Sequence, residues 1–387
     1  MPEPEISIVM PCLNEAETLE RCISKAQAWL RRAQVDGEVI VGDNGSSDGS
    51  QDIARRSGAR VVEVVERGYG SALWNATRAA RGRYLVMGDS DDSYDFSNLD
   101  AFLQALREGN DLVMGNRFRG GIVPGAMPWK NRHIGNPILT GIGRLLFRCP
   151  AHDFHCGLRG FSKEAFLRMD LRTSGMEYAS EMVIKATVLG MRITEVPTRL
   201  AKDGRSRPPH LRPWRDGWRH LRFMLLFSPR WLFLHPSLAA IVIGGVALAW
   251  LLPGPRRIGA ATFDVHTLLC AGVLVVAGHL GATLAVAAKS FSAREGLTKL
   301  APTTARLIDL LSFENSLFAG ILLVFAGILG VLASVLQWGR ADFGVLDPSA
   351  TMRNLVPSLV ALLVGTQTVL GGFLLSVLRL PIRRDYA

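Results

Sequence analysis

Cysteine and tyrosine are scarce in this chain, at 5 each in 387 residues. Cys12, Cys22, Cys149, Cys156 and Cys270 are odd in number and scattered, which excludes a disulfide framework. A cleavable signal peptide is not expected either, because Met1-Pro2-Glu3-Pro4-Glu5 is acidic and the next apolar stretch is short. The N-terminal domain is therefore expected in the cytoplasm. No Walker A sequence occurs. Gly68-Tyr69-Gly70 opens like a dinucleotide fingerprint, but Leu73 stands where the third glycine belongs and no strand immediately precedes it. Long apolar runs are lacking in residues 1–234, where charge is crowded, and plentiful beyond them.

The length suits two or three domains at ~150 residues each. A formal net charge of +10 points to phosphate-bearing partners: nucleotides, nucleic acid or lipid headgroups. The basic residues cluster beside the apolar runs, where anionic lipid explains them, so nucleic acid is not expected. Cys149, His152, His155 and Cys156 are all residue types that ligate zinc. Their crowding leaves no long loop to let two ligand pairs wrap an ion, and a structural or substrate-contacting loop is expected instead.

Ile6-Ser7-Ile8-Val9-Met10, ended by Pro11, reads as a buried strand. A helix follows from about Glu15 to Ala33, with Leu19, Ile23, Ala26 and Leu30 on one face. Glu38–Gly42, Arg60–Val64 and Tyr84–Gly88 read as further strands, and Ser50–Ser57 and Ser71–Ala80 as helices. This alternation predicts an α/β domain with a mostly parallel sheet covered on both faces. Ligands sit at the carboxyl ends of such strands. The polar clusters Asn14-Glu15, Asp43-Asn44 and Asp89 to Asp92 fall there.

Between residues 204 and 234, Arg205, Arg207, Arg212, Arg215, Arg219, Arg222 and Arg230 interleave with Trp214, Trp218, Phe223, Leu225, Leu226 and Phe227. That mixture suits a helix in the membrane interface. Beyond it, segments near 236–252, 266–288, 316–338 and 356–378 are long enough to cross ~30 Å of hydrocarbon, giving an all-α transmembrane domain over 235–387. Lys289, Arg294, Lys299, Arg306, Arg379, Arg383 and Arg384 would face inside, against Arg256, Arg257, Arg340 and Arg353 outside. The bias predicts a multi-pass protein of the inner or plasma membrane, with both termini cytoplasmic. His279 falls mid-span and is read as a polar residue between packed helices.

Gly88-Asp89-Ser90-Asp91-Asp92 follows a predicted buried strand, and carboxylates two apart on an extended strand end can point the same way. Such a pair suits Mg²⁺ or Mn²⁺ shared with substrate phosphates. Together with Val9–Glu15, Asp43–Gly49, Arg67–Leu73, Asp89–Tyr94, Gly115-Asn116-Arg117, Asp153, Cys156–Arg159 and Gly175–Glu181, this makes the stretch from about Ile6 to Leu200, within a domain expected over 1–203, resemble the family 2 glycosyltransferases of GT-A fold. Within that family it is most similar to the polyprenyl-phosphate branch, the dolichol-phosphate mannose or glucose synthases and bacterial undecaprenyl-phosphate relatives.

The resemblance implies roles. Pro11, Asn14, Glu15 and Ser90 would line the nucleotide pocket, Asp43 would hold the base, and Asp89 and Asp91 the metal. Arg205 and Arg207 would close over the donor diphosphate. Relatives often carry Asp where Asn44 stands, and some offer a metal-side ligand where Ser93 stands. The implied activity is inverting transfer of one sugar from a nucleotide sugar, UDP-glucose or GDP-mannose first, to a polyprenyl phosphate at the cytoplasmic membrane face. A phosphate acceptor is already anionic and needs positioning cations more than a base. Arg117 and Arg159, with Arg132 behind them, are the candidates, and Asp153, Glu177 and Glu181 are expected beside the acceptor. Replacing Arg117 by Ala is expected to abolish transfer while sparing the fold. A homo-oligomer is compatible with this reading. The alternatives are a processive polysaccharide synthase, against which the missing Gln-x-x-Arg-Trp segment argues, and a non-catalytic sugar-lipid carrier or scaffold, against which the intact carboxylate pair argues.

Overall fold

The computed structural model describes residues 3–206, 213–294, 305–306 and 309–380. Two compact units divide it, Met1–Leu226 and Phe227–Ala387.

In the first unit, β1 (Ile6–Cys12), β2 (Gly37–Asp43), β3 (Arg60–Glu63) and β4 (Tyr84–Met87) alternate with α1 (Leu19–Ala33), α2 (Ser50–Arg56) and α3 (Tyr69–Ala79). After α4 (Asp100–Arg107) come β5 (Leu112–Asn116), α5 (Arg117–Gly120), α6 (Asn136–Phe147) and β6 (Arg159–Ser162). Then follow α7 (Lys163–Met169), α8 (Tyr178–Val188), β7 (Ile193–Pro197) and α9 (Pro213–Phe227). The strand order is β3-β2-β1-β4-β6-β5-β7, with β6 alone antiparallel to its neighbours. Ile6, Ile8, Val9 and Met10 are completely buried, as a strand covered on both faces requires. The chain lays β2 and β3 to one side of β1 and then crosses to β4 on the other, so the switch point where a ligand crevice opens lies between the carboxyl ends of β1 and β4.

Helix α1 begins at Leu19 rather than near Glu15. Asn14 takes a left-handed backbone (φ 59°) and the Glu15 amide donates to Ser50 Oγ at 2.9 Å, which holds this stretch as a loop. Leu19, Ile23, Ala26 and Leu30 are buried as their spacing demands. Helix α9 packs on the first unit through Asp216, His220 and Met224, all buried and spaced one turn apart, while Trp218 is exposed.

Among the described residues, the second unit holds four helical spans long and apolar enough to cross a membrane: Arg230–Leu251, Val265–Arg294, Phe313–Arg340 and Pro348–Arg379. The first starts before 236 because a π-helical turn, Arg230–Leu234, runs into α10 (His235–Leu251). Helices α11 (Val265–Arg294), α12 (Phe313–Arg340) and α13 (Pro348–Arg379) follow. Small residues let backbones approach: a Cβ on Gly327 of α12 would lie 2.7 Å from the Ser358 carbonyl of α13. His279 is indeed held between helices, its ring nitrogens 3.0 Å from Gln367 Oε1 and 3.2 Å from Thr368 Oγ1.

Candidate active site

The Asp89 and Asp91 carboxylates lie just past β4, at the crevice. Tyr69, at the start of α3, donates its hydroxyl to Asp89 Oδ1 at 3.0 Å. Gly157 leaves Asp89 its space, since a Cβ there would stand 2.7 Å from Oδ2. Withdrawn from water and facing Asp91, the Asp89 carboxyl is pushed up to about 6. Ser93 fixes Asp91, giving its amide (3.0 Å) and hydroxyl (2.6 Å) to Oδ1. Asp92 turns away to Arg21 and Lys25 of α1, at 3.0 and 2.6 Å.

Arg205 completes the cluster. One terminal nitrogen lies 2.8 Å from Asp91 Oδ2, the other 3.0 Å from Glu15 Oε1. A cation therefore already sits among carboxylates whose mutual repulsion calls for one. Among the described residues, no three His, Cys, Asp or Glu side chains form a group able to hold a metal. A hard divalent ion on Asp89 and Asp91 would take its remaining oxygens from phosphate and water, and an all-carboxylate pair with surplus negative charge fits that demand. Arg207 lies outside the described residues.

At the end of β2, Asp43 Oδ1 accepts the Gly45 and Ser46 amides (3.1 and 3.0 Å) and Gln51 Nε2 (2.7 Å). Its Oδ2 is buried without a hydrogen-bond partner, leaving an acceptor for a ligand N–H. Asn14 accepts the Ser47 amide at 2.8 Å, and Ser90 spends its hydroxyl on the Pro11 carbonyl at 2.6 Å. Asn44 donates to the Val64 and Glu66 carbonyls (3.3 and 2.8 Å) and accepts the Gly68 amide at 2.6 Å. An Asp could not donate to those carbonyls, which accounts for Asn here.

The expected acceptor residues separate into two groups. Arg117 is buried and grips Asp153 with two parallel bonds, Nε to Oδ2 at 2.8 Å and Nη2 to Oδ1 at 2.7 Å. Removing it would strand a wholly buried carboxylate, so the expectation that an Ala variant spares the fold is corrected. Arg159 is fully buried too, its guanidinium donating to the Cys156, Phe154 and Ala179 carbonyls. That geometry makes it a brace for the Phe154–Gly157 loop. Glu181 is likewise interior: it accepts the Arg172 and Thr173 amides and pairs with Lys185 at 2.9 Å. Glu177 is half-buried at the head of α8, and Arg132 is exposed before α6.

Sequence reasoning gave Tyr69 no role of its own, although its motif stretch was recognised; only the fold brings its hydroxyl to Asp89. The pair His155 and His220, with rings 4.8 Å apart, was also missed as a unit, being 65 positions apart in the numbering with no shared motif. His220 Nδ1 is 2.7 Å from Ser180 Oγ, and burial lowers His155 well below the usual range and His220 to about 4. Of the other zinc-type residues, His152 instead meets Glu195 at 3.2 Å, and Cys149 and Cys156 are buried.

Residues 7–169 match the model of glycosyl transferase family 2, and residues 286–379 that of the family 2 C-terminal transmembrane region. The low-salt glycan biosynthesis hexosyltransferase Agl6 of Haloferax volcanii is 37% identical over 379 residues, covering 97% of this chain and 89% of that protein. A dolichyl-phosphate hexose transferase of the same organism is 31% identical over 193 residues, 50% of this chain and 81% of that one. A structure of Mycobacterium tuberculosis glucosyl-3-phosphoglycerate synthase with Mn²⁺, UDP and phosphoglyceric acid is 26% identical, covers 58% of this chain and 76% of its own, and has a TM-score of 0.45. Family models at both ends and a relative aligned along nearly the whole length establish that this chain belongs to glycosyltransferase family 2, a GT-A catalytic domain joined to a transmembrane region.

Proposed function

We propose that the enzyme transfers a single sugar, with inversion, from a nucleotide sugar to a polyprenyl phosphate at the cytoplasmic face of the membrane. The observation that carries this reading is the Asp89/Asp91 pair at the strand crevice, with the unpartnered Asp43 Oδ2 at the neighbouring strand end. That oxygen suits an N–H of uracil or guanine, which makes UDP-glucose and GDP-mannose the first donors to consider. Mg²⁺ or Mn²⁺ held by Asp89 and Asp91 would neutralise charge on the departing diphosphate.

The chain's own residues do the rest. Arg205 swings from the carboxylates to the diphosphate. Arg117, steadied by Asp153, offers positive charge to the acceptor phosphate, and Arg132 guides it in. Because that phosphate is itself the nucleophile, one displacement suffices and no covalent sugar–enzyme intermediate is needed. Span charges favour both termini on the cytoplasmic side, and the dolichyl-phosphate hexose transferase named above supports a lipid phosphate as acceptor. The test is transfer from a panel of radiolabelled nucleotide sugars to undecaprenyl phosphate in membranes, with and without Mg²⁺. Label entering lipid from one donor, only with the metal, supports the proposal; no donor labelling lipid refutes it.

A further inference from the structure

The side chain of Glu195, on β7, is 8% exposed, and among the described residues no Lys or Arg pairs with it. A carboxylate withdrawn from water without a cation must be held by hydrogen bonds. Three N–H groups hold this one. Oε1 accepts the backbone amides of His152 and Asp153 at 2.5 and 2.9 Å, and Oε2 accepts Asn116 Nδ2 at 3.0 Å. The His152 ring lies beside it, with Nδ1 3.2 Å from Oε2.

These donors all flank the Arg117–Asp153 pair. The parallel register sets Glu195 against Met114 of β5, so its side chain shares a face with Asn116 two positions on. Asn116 caps α5, its Oδ1 accepting the Arg119 amide at 2.9 Å, and Arg117 is the first residue of that helix. Asp153 Oδ2 accepts the Arg117 amide at 2.9 Å. One buried carboxylate therefore fixes both the residue before Arg117 and the backbone of its partner. Arg117 spends Nε and Nη2 on Asp153, and among the described residues Nη1 has no hydrogen-bond partner. That nitrogen is the edge of the fork left for an anion.

We propose that Glu195 is a positioning residue: by locking Asn116 to Asp153 it aims the Arg117 guanidinium at the acceptor phosphate. The role rests on Arg117 meeting that phosphate. A misplacement of about 1 Å at such a contact costs on the order of a hundredfold in rate, so a loosened lock shows in transfer while the fold persists. The test uses the full chain in nanodiscs containing undecaprenyl phosphate, with radiolabelled UDP-glucose and GDP-mannose offered in turn. Glu195→Gln keeps the shape but turns one acceptor oxygen into a donor that faces donors. Expected is a fall of roughly tenfold or more in kcat/KM for the lipid phosphate, with Mn²⁺ affinity and the donor KM unchanged. Adding Asn116→Asp exchanges donor and acceptor across the same contact and should restore most of the lost transfer. Parent-like lipid kinetics in Glu195→Gln would overturn the proposal, as would equal losses for lipid and donor, the mark of a general structural defect. If Glu195→Gln does not fold, the double variant decides. Folded and transferring, it supports the lock; unfolded, or folded with parent-like Mn²⁺ affinity but no transfer, it contradicts it. A parent that labels no lipid from either donor would instead strike the functional reading.

Discussion

The Arg205 guanidinium bridges Asp91 and Glu15, at 2.8 and 3.0 Å, and so fills with protein charge the place where the chemistry calls for a cation. Arg205→Gln should therefore bind Mn²⁺ more tightly than the parent in the absence of nucleotide, because the ion no longer displaces a resident positive charge. Transfer should fall at least tenfold, since the diphosphate loses its arginine. Electron paramagnetic resonance titration of free Mn²⁺ measures the first effect, and unchanged affinity would show that Arg205 does not compete.

Asn44 acts as a strut between β2 and the loop after β3. Asn44→Asp replaces a donor to two carbonyls by a carboxylate facing them, and should cost roughly 1–3 kcal/mol of stability. Thermal or denaturant unfolding of the purified protein checks it. An Asp variant as stable as the parent would remove the strut role.

Arg117 and Asp153 form one buried unit. Removing either partner alone should destabilise by about 3–5 kcal/mol, because the other charge is left unpaired. Arg117→Leu with Asp153→Leu should recover much of that loss yet stay inactive, since the positive charge proposed to meet the acceptor phosphate is gone. A stable double variant with normal transfer would show that the pair is structural only.

Two buried imidazoles make the fold acid-sensitive. His220, whose folded value is lowered to about 4, is held neutral by burial, and His155 is shifted in the same direction. Their contribution to stability is fully present above the unfolded value near 6.5 and is lost as pH falls through 6.5 toward about 4. Melting midpoints between pH 8 and pH 4 should drop over that window, and His220→Gln should flatten the drop.

Much of the first unit was legible in sequence for a physical reason. Strands covered on both faces are unbroken apolar runs, and polar clusters directly after them can only lie on the crevice rim. Asp89, Asp91, Asp43 and Asn14 were found that way. Side-chain destinations were not legible, because an arginine reads alike whether it meets solvent, a carboxylate or carbonyls. Arg159 spends its guanidinium on Cys156, Phe154 and Ala179, a meeting that only the completed fold arranges. Glu181 is similar: its partners Arg172 and Thr173 belong to a loop without a helical or strand pattern. Helix α9 read as an interfacial element from its arginines and tryptophans, yet the stripe of Asp216, His220 and Met224 also packs it on the catalytic unit.

The central claim is that one sugar goes to a lipid phosphate. The most direct measurement is the mass of the lipid product made by the purified enzyme in nanodiscs, given polyprenyl phosphate, Mg²⁺ and the accepted nucleotide sugar. The account predicts polyprenyl phosphate heavier by a single sugar residue, absent with Asp89→Asn or Asp91→Asn. Unmodified lipid phosphate, or sugar recovered as a polymer, would contradict it.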